Sequence, residues 1–387
     1  YYPIMKYITL DLPIDCILSL NDNIIVGCYE YNDTNNHRKG KIYSLTKNLE
    51  IINFIETSGT LDIKHNIKDT YHRSDNISDI SNKYDINNIK GTYNNNINNI
   101  KYTNNNIIYC CNAKDISVID ENLKLINILE TKTINTYLHI CNNIKYDNNI
   151  AYTDISGTVN IIDNNTLNNI SSIKVTEDIL WTVMVGNGIY AGGDYLYHIE
   201  DNKVNKIVIK NIAGEEEILQ NITEIKEYGN EIIIGTYDNL YRIDVRNNKI
   251  INNNKCNGNE GSNNGYNDLY NYSNKDKDNI YDITNNHYIT NDITNNNNIN
   301  NTDAKEHFIL KEKLDICSWR IKKYKDCFAI ASMYDGVKII NNKNIIKEYK
   351  TESMAYGIEI VDDILFYSSF YDKKIFRVNL NDTIEYK

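Results

Sequence analysis

Asp326-Cys327-Phe328-Ala329-Ile330-Ala331-Ser332-Met333-Tyr334-Asp335-Gly336-Val337-Lys338-Ile339-Ile340 runs from a polar turn through a short apolar strand, across an Asp-Gly turn, into a strand where apolar and polar residues alternate. A strand buried on both faces reads as a continuous apolar run, and a half-buried one reads with period two. The stretch is therefore two hairpins sharing a middle strand. The same unit recurs along the chain. Turns at Asn21-Asp22-Asn23, Asn104-Asn105-Asn106, Asp147-Asn148-Asn149, Gly186-Asn187-Gly188, Gly229-Asn230 and Asp362-Asp363 introduce the strands Ile24-Val26, Ile107-Cys111, Ile150-Tyr152, Ile189-Ala191, Ile232-Ile234 and Ile364-Ser368.

The aspartates of the second turn, Asp115, Asp154, Asp194, Asp238, Asp335 and Asp372, stand 39, 40, 44, 97 and 37 residues apart. With an Asn-rich insertion removed from the long interval, this is the spacing of a four-stranded propeller blade, roughly 40–45 residues. A first unit, Gly27-Cys28-Tyr29 leading to Gly40-Lys41-Ile42-Tyr43, brings the count to seven. The sequence thus predicts an all-β chain, a seven-bladed β-propeller of the WD-repeat type, with Tyr7-Leu10 completing the last blade and latching the ring. Residues 1–387 read as one such domain, interrupted by disordered Asn-rich insertions at about 64–105 and 252–304.

Ile, Asn, Lys and Tyr are abundant and Pro, Ala and Arg scarce, as A+T-rich codon usage would produce. A Tyr or Asn at a given position therefore says less than usual, and a Trp, Gly or Arg says more. The net charge of −11 and the absence of a basic stripe disfavour nucleic-acid binding. No apolar run reaches the ~18 residues of a membrane span, and no signal peptide is visible. The eight cysteines include no Cys-x-x-Cys pair. They predict neither a metal nor a redox centre, and suggest a reduced, cytoplasmic setting. The chain is expected to be a monomer without a cofactor.

Common catalytic signatures are missing: there is no Gly-x-Ser-x-Gly elbow, His-Glu-x-x-His, phosphate-binding Gly-x-x-x-x-Gly-Lys or zinc cluster. Of the histidines, only His139 and His198 fall in blades, and His198 reads as structural.

The last blades carry more specific text. Ser318-Trp319-Arg320-Ile321-Lys322 is followed by Ser332-Met333-Tyr334-Asp335-Gly336-Val337, then Ser353-Met354-Ala355-Tyr356-Gly357 and Ser369-Phe370-Tyr371-Asp372. In this order they resemble the closing blades of the WD-repeat diphthine methyl ester esterases. Looser matches are Trp181 with Gly192-Gly193-Asp194, and Gly235-Thr236-Tyr237-Asp238. The chain departs from that family where a His usually precedes the Trp of the fourth blade; here Val175-Thr176-Glu177-Asp178 stands before Trp181.

The resemblance implies hydrolysis of the methyl ester of methylated diphthine, a trimethylammonium-bearing histidine derivative on translation elongation factor 2, before the final amidation of diphthamide synthesis. Asp335 or Asp194 is then expected to assist water attack, with Arg320 and a backbone amide near Gly357 stabilising the oxyanion. Trp319, Tyr356, Tyr334, Tyr371 and Trp181 are the aromatics expected to hold the substrate and its cation. Blade geometry predicts that all of these gather on one rim of the central channel. The rival expectation is a propeller without chemistry, acting as a binding platform. A phosphoinositide-binding propeller would need a Phe-Arg-Arg-Gly-like motif, and none occurs.

Overall fold

The computed structural model describes residues 5–32, 37–65, 107–141, 149–186, 188–210, 215–244 and 307–382. Among these there is no helix, and hence none long and apolar enough to cross a membrane. The strands assemble into seven antiparallel blades, confirming the propeller. Blade 1 is Ile14–Leu20, Asn23–Asn32, His37–Thr46 and Ile51–Thr57, counted from the channel outward, and blade 6 is Arg320–Tyr324, Cys327–Ala331, Val337–Asn341 and Asn344–Tyr349. The innermost strands of blades 2 to 5 are Thr60–His65, Asn135–Ile140, Thr182–Val185 and Ile222–Tyr228.

Blade 7 takes three strands from the C-terminal part, Ile358–Val361, Ile364–Ser369 and Lys374–Asn379, and its fourth from Lys6–Thr9. The register Tyr7↔Phe376 and Ile8↔Ile375 is the expected latch. It ties the two ends of the ring with backbone hydrogen bonds and covers the edge of Lys374–Asn379.

Each second strand is buried on both faces, as Ile232-Ile233-Ile234 and Phe328-Ala329-Ile330-Ala331 illustrate. Their side chains enter seven hydrophobic clusters, and each cluster straddles two neighbouring blades. Phe366 and Ile375 of blade 7, for example, pack with Ile14, Ile24 and Val26 of blade 1. Seven clusters for seven blades means that, among the described residues, every pair of neighbouring blades shares one. Burial of apolar surface at about 25 cal/mol per Å² therefore works around the whole circle.

Two details depart from the sequence reading. The first insertion, expected from about residue 64, does not begin there: Lys64 and His65 finish the strand Thr60–His65. The Lys/Ile/Asn-biased text that follows conceals this boundary. Blade 5 also gains strands that the repeat did not announce: Val208–Lys210 pairs in parallel with His307–Leu314, and Glu216–Glu217 lies on its far side. Most of both expected insertions falls outside the described residues.

Candidate functional site

Successive side chains of a strand alternate, so on the innermost strands every second residue faces the channel. Register fixes which ones correspond. Cys16 pairs with Gly27, Asp62 with Cys111, Tyr137 with Thr153, Thr182 with Gly192, Glu224 with Gly235 and Arg320 with Ala331, while Ser368 donates its amide to Gly357. These seven residues form one layer of the channel. Two residues further along each strand lies a deeper layer that includes Lys64, His139, Lys226, Lys322 and Glu359.

The charges of these layers are largely matched to one another. Lys64 lies 2.7 Å from Asp62, Lys226 lies 3.1 Å from Glu224, and Lys322 lies 2.8 Å from Glu359. Tyr137 Oη donates to Glu224 Oε1 and accepts from Lys226 Nζ, both at 3.1 Å. Two of the carboxylates also fasten neighbouring blades: Asp62 Oδ2 accepts the Leu138 amide at 3.1 Å, and Glu224 Oε2 accepts the Ile321 amide. Burial alone would raise the Glu224 carboxyl, but Lys226, Arg320, Lys64 and the Ile321 amide together hold it below the ordinary glutamate value. His139 is driven the other way, down to about 3, by burial and by Lys226 and Lys64, and is neutral at physiological pH. The cavity that the two layers enclose measures about 70 Å³. That is room for a few waters, so a side chain of another protein must be met at the mouth.

One residue before the first layer, toward the mouth, come Asp15, Leu61, Thr136, Trp181, Thr223, Trp319 and Tyr356. Here the aromatics named from sequence converge. Trp181 and Trp319, from blades 4 and 6, have ring centroids 6.1 Å apart. Trp319 stacks on Tyr356 at 4.8 Å and lies parallel to Tyr237 at 6.2 Å, 11° between planes. Tyr356 continues to Phe370 at 4.9 Å, and Phe370 to Tyr371 at 5.1 Å. Six rings drawn from four blades thus form one connected series, in which Trp319 touches Trp181, Tyr237 and Tyr356. Tyr371 stands at the exposed end of the series, whereas Tyr334, three-quarters exposed, makes none of these ring contacts.

Arg320 lies beneath this array with only 9 % of its surface exposed. Its Nη1 donates to the carbonyls of Trp319 at 3.3 Å and Thr223 at 3.5 Å. Its guanidinium carbon is 5.5 Å from the Trp319 ring and 5.1 Å from that of Tyr137. A guanidinium has five N–H donors, and two long bonds leave most of them unspent.

The other residues named from sequence are differently placed. Gly357 lies in the channel wall, where an added Cβ would come 2.8 Å from Ile17, but its amide already donates to Ser368 Oγ at 2.7 Å. Asp335 is bound to Lys338 Nζ at 2.7 Å with its side chain about half exposed; that bond holds its carboxyl below the ordinary value, against a slight contrary effect of burial. Asp194 is exposed at its turn, its carboxyl raised by partial burial and by Asp178. Neither carboxylate lines the cavity. Asp372 braces its hairpin by accepting from Ser369 Oγ, and His198 stacks on Tyr190 at 4.8 Å as a core residue.

Sequence reading passed over Asp15, Asp62, Lys64, Glu224 and Lys226. Superposing the innermost strands exposes most of them as Asp62-x-Lys64, Glu224-x-Lys226, Arg320-x-Lys322 and Gly357-x-Glu359. Asp15 is the exception among them. It is 5 % exposed, its Oδ1 is sealed from solvent without a hydrogen-bond partner among the described residues, and burial pushes its carboxyl up to about 7 against the pull of Arg320.

Comparison with known proteins places the chain by its architecture. No protein-family model matches it, and no curated protein matches it. Solved structures do, 1152 chains of them. One is the computationally designed Ika8 protein, 7 % identical with a TM-score of 0.50, the match covering 96 % of this chain and 97 % of that one. At that identity the likeness is one of fold. A fold so widely shared does not select a function, which has to be argued from the mouth of the channel.

Proposed function

We propose that this propeller hydrolyses the methyl ester of methylated diphthine on translation elongation factor 2, with the substrate held at the aromatic mouth of the channel. The observation that carries this reading is the juxtaposition of Trp181, Trp319 and Tyr356 with Arg320 directly below them. Aromatic faces attract a quaternary ammonium at roughly 0.5–2 kcal/mol each. An arginine with uncommitted donors suits the negative charge that develops on an ester carbonyl during water attack. A substrate carrying a trimethylammonium group beside a methyl ester needs both features at one place. The motifs that resemble the diphthine methyl ester esterases contribute Trp319, Arg320, Tyr356 and Tyr371 to this mouth and its aromatic series. The product of the hydrolysis is the free carboxylate that a later amidation consumes. The protein substrate is cytoplasmic, which is where we place this activity.

A non-catalytic platform is the second reading, favoured by the exposure of Tyr334 and Tyr371, which a bound peptide would also cover. Mass spectrometry of elongation factor 2 carrying methylated diphthine separates the two. Incubation with the folded chain is expected to remove the mass of one methylene, and incubation with Arg320→Ala is expected to leave the ester largely intact. An unchanged mass with the wild-type chain, alongside conversion by an active diphthine methylesterase, would exclude the hydrolase.

A further inference from the structure

The esterase reading lacks a proton acceptor, since Asp335 is committed to Lys338 and Asp194 is exposed at its outer turn. Asp15 is placed where one is needed. It sits at the β-bulge between Ile14 and Cys16, at the start of blade 1's innermost strand, in the same mouth layer as Trp181, Trp319 and Tyr356. Blade 7 abuts it closely: the Cβ that Gly357 lacks would touch Ile17, two residues along from Asp15. Asp15 is also near enough to Arg320 and Tyr356 for its charge to bear on both.

The remainder of the channel shows why this carboxyl stands apart. Asp62, Glu224 and Glu359 each have a lysine, and Asp15 has none among the described residues. A buried acceptor without a donor costs about 1–3 kcal/mol and calls for an explanation. A second orphan lies in the same layer: Trp319 Nε1, buried and without an acceptor among the described residues. A vacant acceptor and a vacant donor at one mouth, over a guanidinium with donors to spare, is a polarity pattern complementary to a water attacking a carbonyl.

We propose that Asp15 is the general base of the hydrolysis, an inference that rests on the esterase reading above. Its carboxylate takes one proton from water as the water oxygen bonds to the ester carbon and the C=O π pair moves onto the carbonyl oxygen, beside Arg320 and Trp319 Nε1. When the intermediate collapses, that pair re-forms the C=O and the C–OCH3 bond breaks. The proton on Asp15 passes to the departing methoxide, which leaves as methanol. Asp15 returns to the carboxylate, and the product acid ionises.

A base titrating near 7 matches the working pH of such a reaction. Burial raises this value most, with Arg320 of blade 6 pulling it down and Asp62 of blade 2 pushing it up; the Asp15 charge in turn bears on Tyr356 of blade 7 and on Cys16 and Cys28 of its own blade.

The test is methanol release from elongation factor 2 carrying methylated diphthine, measured between pH 5 and 9 with the full chain, Asp15→Asn and Asp15→Glu. Wild-type kcat/KM is expected to rise about tenfold per pH unit and level off near 7. Asp15→Asn should lose about 100-fold or more in kcat and its pH dependence, while unfolding cooperatively; Asp15→Glu should recover part of the rate. Retention of kcat by a folded Asp15→Asn, or a rise in KM alone, would overturn the base while leaving the esterase standing. Absence of methanol from the wild type would remove the esterase and the base together.

Discussion

The channel and its mouth are built from the same seven strands, yet they treat carboxylates in opposite ways. Within the channel, Asp62, Glu224 and Glu359 are paired with lysines, and two of them also accept backbone amides across blade boundaries. At the mouth, Asp15 Oδ1 and Trp319 Nε1 are buried without partners among the described residues, and just beneath them Arg320 spends only two long hydrogen bonds. Matched charges fasten a ring, whereas unmatched ones cost stability unless something arrives to complete them. On the proposed reading, the channel does structural work and the mouth receives the ligand.

The largest test falls on the channel. Glu224→Ala leaves Lys226 without its carboxylate partner and the Ile321 amide without its acceptor, and should destabilise the propeller by about 3–5 kcal/mol, read as a loss of denaturant midpoint. The folded Glu224 carboxyl titrates below its unfolded value, so its contribution is present above about pH 4.5 and is lost as pH falls through the folded value. Unfolding of the wild type on acidification should therefore be blunted in this variant.

The mouth should respond with the opposite sign. The folded Asp15 carboxyl titrates above its unfolded value, so protonated Asp15 is tolerated at low pH and its ionisation weakens the fold as pH rises toward and through 7. Asp15→Asn should therefore stabilise the protein at pH 8, on the order of 2–4 kcal/mol, with the gain shrinking toward pH 4. Thermal unfolding at the two pH values checks this. A variant both more stable and less active is the signature of a functional group held at a cost to the fold. Loss of stability at pH 8 would instead assign Asp15 to the scaffold.

Smaller effects sharpen the boundary. Trp319→Ala should raise KM for the cationic ester roughly 2- to 30-fold, the range of one cation–π contact, and affect a neutral methyl ester less. Asp335→Asn leaves the buried Lys338 ammonium without its carboxylate, so stability should fall by about 1–3 kcal/mol while hydrolysis continues. A hydrolysis defect there would move the base from Asp15 to the outer turn.

The blades were legible because apolar runs and turn residues repeat at blade spacing, and the latch because Tyr7-Leu10 supplies the strand that the last repeat lacks. The aromatic mouth was legible through its two tryptophans, rare residues in a chain crowded with Tyr. Lys64 was hidden at the edge of biased sequence, where a channel lysine looks like one more insertion residue. Asp15 was hidden because the first unit was recognised from its second strand onward. Aspartate is common here, and its distinction lies in a missing partner, a property of three-dimensional packing that spacing cannot express.

The central claim is that a cationic ester is met at the mouth, and the chain carries its own reporter there, since both of its tryptophans belong to the mouth layer. The direct measurement is tryptophan emission during titration with the methyl ester of a 2-trimethylammonio carboxylic acid, comparing the wild-type chain with Lys322→Met in the channel. The account predicts a saturable change in emission that Lys322→Met retains. Emission that stays constant in a folded protein up to ligand concentrations that saturate an active diphthine methylesterase would contradict it.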